Sequence, residues 1–178
     1  MQREPTRPAL GGEAPPSWLA EVYAELSEPV LRYLSGIAGR AAGEDIGSQV
    51  WVEATELAAG FRGDAAAFRR LVFTIARRRL IDHRRRWWQR RVQLRGGAGD
   101  WADVPDPAAS ADQAQAFALI ARLPRGQAEV VLLRVIAGLS ADDVGEITGR
   151  SPGAVRVMQH RALTSLASML EQDRGSGV

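Results

Sequence analysis

The sequence predicts an all-α protein built as two small helical units joined by an acidic linker. Three observations carry that expectation. Apolar residues recur at helical spacing through most of the chain, and no stretch reads as a credible strand. Residues 96–115, "GGAGDWADVPDPAASADQAQ", hold four aspartates, two prolines and no arginine, a composition that marks a boundary between units. Beyond it, Ser140, Gly149, Ser151 and Pro152 punctuate the chain as two short helices joined by a tight turn, the signature of a helix-turn-helix.

A chain of 178 residues suits one ordinary domain or two small ones, and 46% hydrophobic residues are enough to pack a core. The net charge is only +2, yet the basic residues cluster and the acids lie elsewhere, so the local field is polarised. All 23 basic residues are arginine. Guanidinium forks suit phosphates and guanine edges, although a GC-rich genome also explains an absence of lysine. There is no cysteine, which excludes disulfides, zinc ribbons and thiol catalysis. No apolar run approaches the length of a membrane span, and the first sixteen residues are rich in Pro, Gly and Arg rather than signal-like, so the expected location is the cytoplasm.

In chain order, residues 1–16 read as a disordered lead. A helix is expected from Trp18 to Ile37, with Leu19, Val22, Tyr23, Leu26, Val30, Leu34 and Ile37 on one face; Pro29 should kink it or start a second helix. A second helix covers Glu44 to Ala58, with Ile46, Val50, Ala54 and Leu57 on one side. The loop "GFRGDAAAF" (60–68) leads into a third.

That third helix carries eight arginines within residues 74–91, "TIARRRLIDHRRRWWQRR". Phe68, Leu71, Val72 and Ile75 form its apolar stripe, and Arg70, Arg77, Arg84 and Arg91, each seven residues apart, fall roughly opposite. The apolar side ends after Ile81, so the helix is expected to project beyond its core. So many like charges repel unless a polyanion compensates them. Trp87 and Trp88 add either stacking surfaces for unpaired bases or core residues closing the helix end. Asp82 is expected to pair with Arg78 or Arg79 on its own helix.

The first unit thus spans 17–92, the linker 93–112, the second unit 113–172 and a short tail 173–178. Helices are expected at 113–122 and 126–137. Ser140 can cap the next, with Asp142 and Asp143 in its first turn; Gly149 can end it, Ser151 cap the last, and Pro152 take its first position. In that last helix Val155, Met158, Ala162, Leu166 and Met169 face inward. Arg156, Val157, His160 and Arg161 face outward near its start, where a recognition helix meets base edges.

Catalysis is not expected. His83 and His160 lie in different units among arginines, Asp142–Asp143 is explained by helix N-terminal charge, and no metal-ligand spacing, phosphate loop or nucleophile elbow occurs. No cofactor or metal is expected.

The segments "EDIGSQVWVEA", "FRGDAAAFRRLVFTIARRRLIDHRRR" and "LPRGQAEVVLLRVIAGLSADDVGEITGRSPGAVRVMQHRAL" together resemble the extracytoplasmic-function sigma factors of bacterial RNA polymerase, over about Trp18 to Leu170. The resemblance implies a sigma-2 domain at 17–92, a sigma-4 domain at 113–172, and an alternative sigma factor with core polymerase, promoter DNA and an anti-sigma factor as partners. It implies polymerase contacts at Asp45, Ser48, Gln49 and Trp51. It implies minus-ten contacts at Arg62 and Asp64 of the loop and at Arg70, Arg77, Arg78, Arg84, Arg85 and Arg91. Ser151, Arg156, Val157, His160 and Arg161 would read the minus-thirty-five element. Two departures stand out. Ser48 occupies a position where the family often has glutamine, with Gln49 next and Gly47 weakening the helix. Val157 and Met158 replace polar and basic residues common in the recognition helix. Two rivals are a self-sufficient helix-turn-helix regulator, which would bind duplex alone, and a basic module for membrane or RNA.

Overall fold

The computed structural model describes residues 16–93 and 111–175. Nearly all of the expected lead, most of the expected linker and the last three residues lie outside them. The described residues form α1 (Trp18–Ala38), α2 (Arg40–Ala58), α3 (Ala65–Gln93), α4 (Ala111–Ala121), α5 (Arg125–Val131), a π segment (Leu132–Ile136), α6 (Ala141–Thr148) and α7 (Pro152–Gly175). No strand occurs among them.

α1 runs through Pro29 without a break. Burial on both sides of the proline explains this: Leu26, Val30, Tyr33 and Leu34 are all in the core, and their packing outweighs the one backbone bond a proline removes. α2 starts at Arg40, four residues earlier than its apolar pattern, after the single connecting residue Gly39. Ile46, Val50 and Ala54 are buried as expected, but Leu57 is exposed and Ala58 takes the inward position.

The two glycines near the α1–α2 contact differ in kind. A Cβ on Gly43 would collide with Ser35 Oγ and fall 2.9 Å from the Ser35 backbone nitrogen, so α1 and α2 approach there only because the side chain is missing. At Gly47 the nearest atom to such a Cβ is Leu34 Cδ1 at 3.7 Å, ordinary contact. Gly47→Ala should therefore stabilise the protein by up to about 1 kcal/mol through helix propensity and the unfolded state. Gly43→Ala should lower the melting temperature. Thermal melts of the two variants check this, and shifts of the same sign would contradict it.

α3 buries far more than the Phe68–Leu71–Val72–Ile75 stripe. Phe73, Ala76 and Leu80 are also buried, so the inward arc spans nearly half the helix circumference. The reason is that α3 is packed from two sides. α1 and α2 cover one, and the second unit covers part of the other, through α6 and the end of the π segment. Beyond Leu80 no described side chain of α3 is buried.

The two units share a continuous core. On α1, a Cβ at Gly36 would come within 2.9 Å of Leu132 and 3.0 Å of Phe117, so the second unit seats directly against the helix backbone. Tyr33 and Phe73, both fully buried, meet edge to face at 5.9 Å beside that contact. The expected 126–137 helix is α5 followed by the π segment, whose extra residue is absorbed by the Ala137 N–H donating to the Leu132 carbonyl. Gly138, at φ 66°, then ends it.

Candidate nucleic-acid interface

The helix-turn-helix forms as its punctuation requires. Ser140 Oγ accepts from the Asp143 backbone N–H at 3.0 Å while the Asp143 carboxylate accepts from the Ser140 N–H at 3.2 Å, a complete capping box for α6. Gly149 closes α6 in the left-handed region at φ 70°. Ser151 Oγ accepts from the Ala154 N–H at 3.2 Å, and Pro152 is the first residue of α7. Arg134, from the π segment, donates to Gln159 Oε1 at 2.9 Å and to the Leu139 carbonyl, pinning α7 to the unit. Val155 and Ala162 are buried, with Met158, Leu166 and Met169 packed against the core. Arg156, Val157, His160 and Arg161 are exposed on one side of the first three turns. Arg156 has an acidic neighbour only at long range, Asp142 at 3.9 Å.

The arginines of α3 divide into three groups rather than one ridge. Arg70 is bound across the units, to Asp143 at 2.9 Å and Glu146 at 2.9 Å on α6. Arg77 is likewise bound to Glu129 of α5 at 2.8 Å. Arg78 and Arg79 both reach Glu53 of α2, Arg79 at 2.8 Å. The expected pairing of either with Asp82 is thus replaced by a longer-range one, because Glu53 is half-buried under α3 and offers both oxygens. Arg84, Arg85 and Arg86 are exposed on the overhang. Arg91 is within the helix, but its side chain lies outside the described residues. Trp87 and Trp88 meet edge to face at 5.4 Å on the same overhang, outside the main core, with Trp88 exposed.

In the loop before α3, Asp64 Oδ1 accepts from the Ala67 N–H at 2.7 Å and so caps the helix. Arg62 is exposed. Phe61 packs at 5.0 Å from Phe68 and 6.5 Å from Trp18, which anchors the loop by its aromatic residue. On α2, Asp45 and Ser48 are exposed, Gln49 and Trp51 half-buried, and Ser48 Oγ donates to the Glu44 carbonyl. Trp51 meets Tyr23 of α1 at 4.7 Å, and Val52 is exposed beside them. The four α2 residues thus lie along a surface that carries exposed apolar as well as polar groups.

Arg69, Glu53 and Glu129 are the organising residues that sequence reasoning missed. Arg69 donates to Glu25 of α1 at 2.6 Å and to the Ala137 carbonyl at the end of the π segment at 2.7 Å. Glu129 is half-buried between Arg77, Arg150 of the helix-turn-helix turn at 3.7 Å, and the buried Tyr33. The Tyr33 phenol is pushed well above its ordinary value by burial and then by the charge of Glu129, so it stays protonated. A lone glutamate inside "AEVVLLRVI" was the available signal for Glu129.

Two carboxylates titrate low. Glu53 is lowered chiefly by its hydrogen bond from Arg78, against partial burial, with Arg79 adding. For Asp143 burial works the other way, but hydrogen bonds from Ser140 and Arg70 outweigh it. Depressed folded-state values stabilise the fold above the unfolded carboxylate range, and that contribution disappears as pH falls through the folded values. Melting temperature should therefore fall below about pH 4.5, and less steeply in Glu53→Gln. An identical acid limb in parent and variant would show that Glu53 is not linked to folding. Among the described residues no cluster of three potential metal ligands occurs, and no helix is long and apolar enough to cross a membrane.

A helix-turn-helix with exposed basic residues at the start of its second helix, set behind a helical unit with an arginine-covered overhang, is the architecture of a helical DNA-binding protein. Residues 113–166 match the family model described as Sigma-70, region 4. The extracytoplasmic-function RNA polymerase sigma factor ShbA of Streptomyces griseus is 31% identical over 166 residues, 85% of this chain and 87% of that protein. BldN of Streptomyces coelicolor, of the same description, is 28% identical over 93% of this chain and 64% of its own length. The sigma factor RpoE, solved with the anti-sigma factor NepR from Bartonella quintana, shares the fold with a TM-score of 0.68 at 22% identity, covering 86% of this chain and 98% of that one. The chain belongs to the extracytoplasmic-function family of RNA polymerase sigma factors.

Proposed function

We propose that this protein binds core RNA polymerase as an alternative sigma factor, with residues 17–92 serving core and minus-ten binding and 113–172 serving minus-thirty-five binding. It is a non-catalytic, cytoplasmic subunit under the control of an anti-sigma factor; the relative RpoE, solved with NepR, supports that last assignment. The observation that carries the reading is the helix-turn-helix with Arg156, Val157, His160 and Arg161 exposed at the start of α7, as major-groove reading needs. Ser151 sits at the cap, near where backbone phosphates meet a helix N-terminus.

On the first unit, Asp45, Ser48, Gln49 and Trp51 serve the polymerase. Arg62, Asp64 and the α3 arginines serve the minus-ten strand, with Arg84 and Arg85 already available on the overhang. The deciding experiment is transcription in vitro with core polymerase on a promoter library. A sigma factor gives initiation at a defined set of sites, whereas a self-sufficient regulator binds duplex without polymerase and gives none. In the same assay Arg84→Ala/Arg85→Ala should melt like the parent. The log–log salt slope of its holoenzyme on promoter DNA should be shallower by about 1.4–1.8, at 0.7–0.9 per phosphate contact. An unchanged slope and affinity would assign these arginines to a solvated face.

A further inference from the structure

Arg70 and Arg77 sit one behind the other on the part of α3 that the second unit covers, and three carboxylates reach them from that unit: Asp143, Glu146 and Glu129. Two guanidinium groups on one helix face are thus matched by anions supplied from the same chain, while Arg84, Arg85 and Arg86 further along face solvent. Arg69 adds a third tie, to the Ala137 carbonyl. We propose that Glu129, Asp143 and Glu146 act as an internal stand-in for nucleic-acid phosphates, holding Arg70 and Arg77 in the free chain and releasing them when the two units separate. The proposal rests on the reading of α3 as a nucleic-acid-binding helix, and it adds a closed form in which half of that helix is withheld.

The physical basis is competition for the same forks. A guanidinium pairs with carboxylate or phosphate through the same planar donor geometry, so both cannot hold Arg70 at once. Asp143 is well suited to the task because its carboxylate is already oriented by the α6 capping box. Glu129 is oriented by burial and by Arg150. Partly exposed ion pairs are individually weak and are screened by salt, so a polyanion can displace them. The apolar seat of Leu132 and Phe117 on Gly36 fixes the geometry in which these ion pairs form, and the pairs and the seat together hold the closed arrangement. The exposed face of α7 is not covered in this arrangement, so closure withholds the first unit's cations selectively.

The absence of cysteine makes the test direct, because two introduced thiols carry spin labels without background. Glu56→Cys on α2 and Ser168→Cys on α7 are both at exposed positions, one on each unit. The full chain is examined by inter-label distance across a salt series, and by binding to a dodecamer of thymidylate. The parent should show a single short distance at low salt. Glu129→Gln/Glu146→Gln should lengthen or broaden that distance, and its log–log salt slope for the oligonucleotide should be steeper by about 1.4, two single-strand phosphate contacts at about 0.7 each. Gly36→Leu, which leaves every carboxylate in place and wedges the apolar seat, should open the units in the same way. Melting curves establish that each variant is folded. The proposal is overturned if the charge variant keeps the parent's distance and slope, or if both variants open yet bind as the parent does. Arg84→Ala/Arg85→Ala separates the two levels. If it loses affinity for the oligonucleotide while the opening variants change nothing, the internal stand-in is wrong and the nucleic-acid role of α3 stands. If the parent neither binds the oligonucleotide nor supports initiation with core polymerase, both are wrong.

Discussion

Phe73→Ala should lower the free energy of unfolding by about 3–5 kcal/mol, the range for truncating a fully buried phenylalanine. Phe73 lies in the first third of α3 and its ring meets Tyr33 edge to face, so truncation removes both area and a specific aromatic pair. Tyr33, its partner on α1, stands three residues before Gly36, where the second unit seats, so the loss should be felt on both sides of the linker. Urea unfolding followed by helical circular dichroism and by tryptophan fluorescence is the measurement. Of the five tryptophans, Trp18 and Trp51 report on the first unit's core. A single transition shifted to lower urea is expected. A loss under about 1 kcal/mol, or a shift seen by fluorescence alone, would mean that α3 does not join the two units energetically.

The second large effect falls on recognition. Arg156→Ala should weaken holoenzyme binding to promoters carrying the upstream element by about 1–3 kcal/mol and relax specificity at one base pair, the behaviour of a guanidinium that grips guanine. Its side chain is 63% exposed and held only by the 3.9 Å approach of Asp142, so little in the free protein needs to break before it enters a groove. Equal weakening on every sequence would instead make it a phosphate contact. The comparison requires matched promoters differing at single positions of the upstream element, at one fixed salt concentration.

The helix-turn-helix was fully legible in the sequence because its signals are local. Ser140, Asp143, Gly149, Ser151 and Pro152 each act within four residues of where they stand, and each has the expected geometry. Amphipathic spacing likewise located α1, α2 and the apolar stripe of α3. What it missed depends on distant partners. Pro29 reads as a breaker, yet core packing around it carries α1 through. Arg70 and Arg77 read as part of a basic ridge open to a polyanion, opposite the apolar stripe, because nothing local indicates that acidic residues more than fifty positions away will cover them. Asp82 reads as the partner of Arg78 or Arg79 on the same helix, yet both arginines reach Glu53 of α2. Gly36 gave no warning at all: a glycine inside a helical pattern looks like a weakness until the atoms seated on it are known.

The overhang of α3 has a consequence in length. From Leu80, the last buried side chain among the described ones, to the helix end at Gln93, the backbone advances about 20 Å at 1.5 Å per residue. Nucleotides in a B-form strand are stacked 3.4 Å apart, so this strut matches a run of about six. An α-helix is a stiff element over such a distance, and a load placed on its tip is transmitted to its root. That root is the segment from Phe68 to Leu80, the same segment that touches α1, α2 and the second unit. Whatever seats on the distal arginines therefore pulls on the clasp between the two halves of the molecule.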